Sequence, residues 1–152
     1  MRFTIDEAAR ATGGSFSIDP VSDQMEITSL TWDSRSVEPG ALYVALPGER
    51  VDGHAFAASA VAAGAVCVLA QHALDQASAD QIAAAGAAVI QVPDTQAAVT
   101  ALARAWRDRL EGRVIGITGS TGKTTTKNLV RDVLVAAGSV CATKGNQNNE
   151  LG

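Results

Sequence analysis

The period of apolar and polar positions changes repeatedly along this chain, and each change marks an element. Thr4 followed three residues later by Glu7 is a capping-box pattern, which predicts a short helix through about Thr12 with Gly13-Gly14 as its stop. Downstream, MEITSLTWDS and ALYVAL have the β-branched and apolar content of strands, and Pro39-Gly40 turns the chain between them. A helix over about Ala55 to Ala63 ended by Gly64, a strand AVCVLA, an alanine-rich helix ended by Gly86 and a strand AAVIQV closed by Pro93 follow. That succession of strand, helix, strand, helix, strand is α/β.

Asp94 can cap a longer helix, in which Val99, Leu102, Ala103, Trp106 and Leu110 recur at spacings of three and four, with Gly112 after its last turn. This helix is expected to join two domains. Beyond it RVIGIT reads as a buried strand, GSTGK as a loop, and TTTKNLVRDVLVAAG as a helix with Leu129, Val130, Val133, Leu134 and Ala137 on one apolar face. SVCAT is one more strand, and KGNQNNELG follows before an open parallel sheet is complete. The expected organisation is therefore a domain over 1–93, a connecting helix over 94–112 and the start of a second domain, cut short, over 113–152.

Composition narrows the classes. With 152 residues, 47% of them hydrophobic and 18% charged, the chain can build one medium core or two small ones. A net charge of -4 and a pI near 5.0 give no basic face for a nucleic-acid backbone, so no nucleic-acid partner is expected. No apolar run approaches the roughly 20 residues of a membrane span, and MRFTIDEAAR lacks the apolar core of a secretory signal, so the reading is cytoplasmic, with no membrane partner. Cys67 and Cys141 sit in short apolar runs without a partner at metal-ligand spacing and are expected to be buried free thiols. His54 and His72 look equally isolated as metal ligands.

The most informative residues are Gly119, Ser120, Thr121, Gly122, Lys123, Thr124 and Thr125, between a predicted buried strand and an amphipathic helix. Such a loop lets the backbone wrap phosphate oxygens, with amide hydrogens and the helix start supplying positive potential and the Lys123 ammonium reaching the terminal phosphates. Thr124 would ligate Mg²⁺ through its hydroxyl. A strict phosphate-loop motif has glycine five residues before Gly122, where this chain has Ile117, so the pattern is a variant. The bland alternative is a glycine-rich turn that caps a helix.

TGSTGKTTTKN followed by KGNQNNELG resembles the Mur ligases, and DSRSVEPGALYVALPGERVDGHAFAASAVAAGA, starting at Asp33, is similar to the family's amino-terminal domain. The GERVDGH segment and the paired asparagines are closest to the branch that adds D-Ala-D-Ala. The branch that adds the third amino acid stays open. The resemblance implies an α/β fold: a small substrate-binding domain, then the truncated start of a Rossmann-like, mostly parallel ATPase domain. It also implies an ATP-dependent ligase of peptidoglycan precursor synthesis, using ATP, Mg²⁺, UDP-N-acetylmuramoyl tripeptide and D-Ala-D-Ala, with this stretch inactive alone.

By resemblance Ser34 and Arg35 contact the uridine-diphosphate end, and the planar fork of arginine suits phosphate. Asp33 and Arg35 pairing only with each other is the structural alternative. Arg50, His54 and Phe56 lie in the segment that lines the family's substrate cleft, although His54 and Phe56 also suit ordinary turn and core roles. Asn146, Asn148 and Asn149 follow a strand and by resemblance reach the muramoyl peptide, while asparagine beside glycine also simply makes turns. Two other functions compete: a stand-alone nucleotide-binding module that makes no bond, and a phosphate-loop kinase or small NTPase. Neither has a reason to carry DSR together with GERVDGH.

Overall fold

In the computed structural model, which describes residues 2–22, 24–48 and 51–143, the capping box at the start of the chain is closed in both directions. The Thr4 amide donates to Glu7 Oε2 at 2.9 Å and the Glu7 amide to Thr4 Oγ1 at 3.2 Å, which fixes the start of α1 (Ile5–Thr12). Gly13 ends it at φ 65, a left-handed conformation that a side chain disfavours. Contacts divide the chain into two compact units, Met1–Arg109 and Leu110–Gly152.

The first unit is built on β2 (Ser15–Ile18), β4 (Ser29–Thr31), β5 (Ala41–Val44), β6 (Ala65–Ala70) and β7 (Ala88–Gln91), in the spatial order β2-β7-β6-β5-β4. The four strands β4 to β7 are parallel, and β2 closes one edge antiparallel to β7. A two-residue pair, β1 (Phe3–Thr4) with β3 (Glu26–Ile27), stands apart. Between the parallel strands run α2 (Ala57–Ala62) and α3 (Gln76–Ala84). Their buried faces pack on the aligned trio Tyr43, Val68 and Val89, while the opposite-facing Leu42, Val44, Leu69 and Ile90 are fully buried too. Both faces of the sheet are therefore covered, as parallel strands require, and β5 is buried along its whole length.

The strand β2 was not anticipated. It alternates exposed and half-buried residues at the sheet edge, so only the short alternation Ser-Phe-Ser-Ile could have disclosed it. The helix expected to connect domains, α4 (Thr95–Asp108), packs within the first unit against α1. Asp94 caps it through the amides of Gln96 and Ala97, and Leu102 is fully buried. At its far end Trp106 meets Phe3 edge-on with ring centroids 5.8 Å apart, and the Arg109 guanidinium lies 4.5 Å from the Phe3 centroid while pairing with Glu7 at 2.9 Å. Periodicity reveals that a helix buries a stripe but not against what. Leu110, counted on that stripe from the sequence, lies past the helix end and is exposed.

In the second unit the described residues contain one helix, α5 (Lys123–Leu134). RVIGIT and SVCAT, read as strands, have no ladder partner among the described residues, and Val114 and Ile115 are exposed. A parallel strand is defined by its neighbours and by cover on both faces, neither of which the described residues supply around these segments. Their apolar side chains instead line, with Val130 and Leu134, a groove of about 460 Å³. Cys141 borders that groove and is exposed, which corrects its expected burial, whereas Cys67 is buried and its thiol is pushed up to about 12 by desolvation.

Because α4 is part of the first core, Leu102→Ala will destabilise that unit by about 2–5 kcal/mol, the cost of a buried cavity. Val133→Ala, at an exposed position of α5, will stay within about 0.5 kcal/mol. Trp32 and Trp106 both lie in the first unit, so urea unfolding followed by tryptophan fluorescence reads it directly. Equal effects of the two substitutions would reject this placement of α4.

Candidate functional site

Parallel pairing of β4 through β7 brings the carboxyl ends of four strands to one end of the sheet. Open α/β sheets hold ligands outside that end. The loop after β4 carries Ser34 and Arg35 in a single 3-10 turn, Ser34–Ser36, capped by the Asp33 carboxylate. After β5 comes a second such turn, Gly53–Phe56, carrying His54 and Phe56 and capped by Asp52. The same local device, an aspartate accepting the amide two residues on, thus presents two of the three sequence-identified groups on one end of one sheet. Arg50, Asn146, Asn148 and Asn149 lie outside the described residues.

Arg35 and Asp33 pair with each other: Nε to Oδ1 and Nη2 to Oδ2, each 2.9 Å. This is the structural alternative considered from the sequence. Donors of Arg35, first its guanidinium and then its backbone amide, hold the Asp33 carboxyl down at about 2. The pair uses one edge of a side chain that is 88% exposed, so it is screened by solvent, and the Nη1 edge makes no bond among the described residues. Phe56 is also partly exposed, as an apolar wall requires.

His54 and His72, read as isolated, are joined. Their rings stack with centroids 3.5 Å apart and planes 20° apart, and Asp52 binds both, Oδ1 to His54 Nδ1 at 2.6 Å and Oδ2 to His72 Nε2 at 2.9 Å. His54 Nε2 accepts the Gln71 amide at 3.0 Å, and Gln71 Oε1 in turn accepts from the Thr95 hydroxyl at 3.2 Å at the start of α4. His54 is buried and Thr95 fully so, and each has its polar atoms satisfied. Donors from the His54 backbone and ring, then from His72, hold the Asp52 carboxyl at about 2. Burial, followed by the charges of Asp33 and Asp52, pushes the Tyr43 hydroxyl up, so the two capped turns act on one strand residue.

Asp52, Gln71, His72 and Thr95 were missed from the sequence. Asp52 had a local signal, its spacing two before His54. His72 had none, because its link to the turn depends on β5 and β6 being neighbours.

The phosphate loop belongs to the second unit. Gly119 at φ 147 and Gly122 at φ 76 take backbone conformations that side chains avoid, and Gly122 stands directly before α5 with no side-chain cap. The Thr126 amide donates to the Gly122 carbonyl at 2.9 Å, and the Lys123 ammonium folds back to donate to the Gly119 carbonyl. Ser120, Thr121, Thr124 and Thr125 are exposed along this loop and first helical turn. Amides at a helix start with no side-chain cap, a cation held over the loop and hydroxyls beside it suit a nucleotide's phosphates and a hard cation.

A lowered folded-state value means that each carboxylate stabilises the fold above the ordinary range of about 4, and that this contribution disappears as pH falls toward about 2. Carboxyl-carbon NMR will show Asp33 and Asp52 both titrating near 2. In Arg35→Ala the Asp33 value will rise part of the way toward 3.8, since the backbone amide of residue 35 remains, while Asp52 holds still. An unmoved Asp33 would show that Arg35 is not its main partner.

Two family profiles match the chain in succession. The profile described as the Mur ligase family catalytic domain matches residues 26–107, and that of the Mur ligase middle domain matches residues 117–152. A UDP-N-acetylmuramoyl-tripeptide--D-alanyl-D-alanine ligase of Synechocystis is 39% identical over 138 residues, which is 90% of this chain and 29% of that protein. A UDP-N-acetylmuramoyl-L-alanyl-D-glutamate--2,6-diaminopimelate ligase of Solibacter usitatus is 42% identical over 83% of this chain and 24% of its own length. The crystal structure of MurF from Acinetobacter baumannii superposes with a TM-score of 0.84 at 34% identity, over 99% of this chain and 31% of that one. MurF from Thermotoga maritima in complex with ADP gives 0.69 at 32% identity, over 83% of this chain and 27% of that one. The chain thus spans under a third of the length of these relatives. Since the catalytic-domain profile alone takes in more than half of the sequence, the chain belongs to the Mur ligase family.

Proposed function

We propose that this chain supplies the substrate-holding and phosphate-binding portions of an ATP-dependent ligase that joins D-Ala-D-Ala to UDP-N-acetylmuramoyl tripeptide. The observation that carries this reading is the Gly119–Thr125 loop, with two positive-φ glycines and Lys123 at the start of α5, in a chain aligned along 90% of its length with a relative bearing that ligase's name. In the reaction the tripeptide carboxylate attacks the γ-phosphorus of ATP, giving an acyl phosphate and ADP. The amine of D-Ala-D-Ala then attacks the acyl carbon, the new C–N bond forms and phosphate leaves. Lys123 neutralises charge on the transferring phosphoryl group, and the amides of Gly119 to Thr125 cradle the neighbouring phosphates. Mg²⁺ adds further charge neutralisation when bound, with the Thr124 hydroxyl as its ligand from this chain.

Ser34, Arg35, Arg50 and Phe56 hold the UDP-muramoyl end, with the free Nη1 edge of Arg35 directed to phosphate; Asn146, Asn148 and Asn149 reach the muramoyl peptide. Supporting Ser34, Arg35 and Phe56 is their placement on the two capped turns at the carboxyl ends of the parallel strands. His54 acts there through the turn, because both its ring nitrogens are engaged within the fold. A second reading, the sister ligase that adds a diamino acid, has in its favour the 42% identity to the Solibacter relative. Offering D-Ala-D-Ala and 2,6-diaminopimelate as alternative amines, each with the matching UDP-muramoyl peptide, decides between them.

In the full-length enzyme that this reading requires, Lys123→Ala will abolish ligation and leave the fold intact, measured as loss of both phosphate release and peptide product. Near-normal turnover by a folded variant rejects the assignment. The 152 residues alone, given ATP, Mg²⁺ and both other substrates, will form no amide product detectable by mass spectrometry. The chemistry depends on holding carboxylate, phosphate and amine together, an effect of about 7–11 kcal/mol. Sustained product formation that Lys123→Ala removes would show that these residues already contain the whole machinery.

A further inference from the structure

We propose that Tyr43 is a positioning residue: its buried hydroxyl fixes the Gly53–Phe56 turn, and so fixes where Phe56 is offered to a ligand at the carboxyl end of the sheet. The ligand is the UDP-muramoyl end of the substrate, an identification that rests on the function proposed above. Tyr43 stands on β5, on the face that α2 and α3 cover, and its cluster of buried neighbours, among them Ala57, Ala60, Val68 and Val89, is otherwise apolar. Phenylalanine would fill nearly the same volume. A hydroxyl adds nothing to such packing and costs free energy there unless it finds a partner. Its partner is the Gly53 carbonyl, which accepts at 2.9 Å across ten residues of chain. Burial, and then the charges of Asp33 and Asp52, raise the hydroxyl above its ordinary value, so it stays protonated and remains a donor. Tyr43 is 1% exposed, so a ligand does not reach its ring, and whatever it does for binding passes through the turn.

Gly53 is the point at which the turn is seated. Its amide donates to the Leu46 carbonyl at 2.9 Å, and its own carbonyl takes the Tyr43 hydroxyl. A Cβ built on it would meet the Leu46 oxygen at 2.7 Å and the Leu46 nitrogen at 2.8 Å, so no side chain fits there. Beyond Gly53 the turn closes on Asp52, which accepts the His54 amide at 3.0 Å through Oδ1 and the Ala55 amide at 3.2 Å through its carbonyl. From the end of β6 the Gln71 amide donates to His54 Nε2 at 3.0 Å, and on the far side the Ser59 hydroxyl donates to the Phe56 carbonyl at 2.8 Å. These bonds restrain the backbone on both sides of Phe56, whose ring stays partly exposed. An exposed apolar ring on a restrained backbone is preorganised for recognition, because its ordering precedes the arrival of a ligand. Since several bonds hold the turn, loss of the Tyr43 hydroxyl will loosen it without unfolding it.

Tyr43→Phe removes the hydroxyl and keeps the ring. In the 152-residue chain, hydrogen exchange at the Gly53, His54 and Ala55 amides will speed up in this variant. UDP-N-acetylmuramic acid, titrated by calorimetry, will bind roughly two- to tenfold more weakly, the weight of one hydrogen bond. Ile82→Val trims the same core without touching the turn, and will leave both readings at their wild-type values. Phe56→Ala will itself weaken binding, and adding Tyr43→Phe to it will change the affinity by less than about twofold, the non-additivity expected when one residue acts through another. Turn amides that exchange at the wild-type rate in Tyr43→Phe overturn the proposal. So do a loosened turn with unchanged affinity, an equal loss of affinity with and without Phe56, or the same changes in Ile82→Val. A turn loosened by Tyr43→Phe in a chain whose wild type shows no saturable binding of UDP-N-acetylmuramic acid overturns the substrate reading, and the role toward this ligand with it.

Discussion

The arrangement depends on the parallel ladder β4-β5-β6-β7. Parallel strands oblige the chain to return to the same starting end after each strand, so every strand releases its carboxyl end on one side. That is why DSR, DGH and the Gln71-His72 pair, separated along the sequence, emerge on a common end. The same constraint accounts for the composition of the connections. A sheet buried on both faces needs helices close against it, and Ala57, Ala60, Ala65, Ala70 and Ala87 are small enough to pack α2 and α3 onto the Tyr43-Val68-Val89 row. The alanine richness is a consequence of close packing.

Features set within a few residues were legible in the sequence. The Thr4–Glu7 box, the Gly13 stop, the Asp94 cap and the strand AVCVLA follow from local spacing and appear as read, while ALYVAL and AAVIQV shorten to Ala41–Val44 and Ala88–Gln91. What was not legible is what depends on a distant partner. β2 is a strand because β7 lies beside it, α4 joins the first core because Phe3 and α1 receive it, and RVIGIT has the content of a strand without a partner among the described residues. The same distinction divides the candidate site. Gly119 through Thr125 is contiguous and could be read directly, whereas the His54–His72 stack joins residues brought together by the adjacency of β5 and β6.

Asp33 and Asp52 show how one local rule yields unequal consequences. Each caps a 3-10 turn, and each is held near 2 by donors. Asp33 finds its charge partner two residues away on a side chain 88% exposed, where solvent weakens the attraction and a phosphate can compete for the guanidinium. Asp52 instead meets an imidazole that is 4% exposed and fixed from behind by the Gln71 amide, which itself is tied through its side chain to Thr95. The first pair is suited to exchange partners and the second to hold position. A ligand at this end of the sheet would therefore meet one adaptable charge and one rigid turn.

The phosphate loop carries the same reasoning into the second unit. Its geometry comes from glycine at Gly119 and Gly122, from the start of α5 and from the Lys123 ammonium lying back on the Gly119 carbonyl, all within eight residues of chain. The two bonds that shape it, from the Thr126 amide to the Gly122 carbonyl and from the Lys123 ammonium to the Gly119 carbonyl, are local. Polarising a phosphoryl group is likewise a local property. In the proposed reaction, bringing a carboxylate and an amine to that group is not, since both would be held by surfaces remote in sequence from the loop. The division between what one short segment can form and what only distant surfaces can supply is thus the same for the fold, for the His54–His72 stack and for the proposed chemistry.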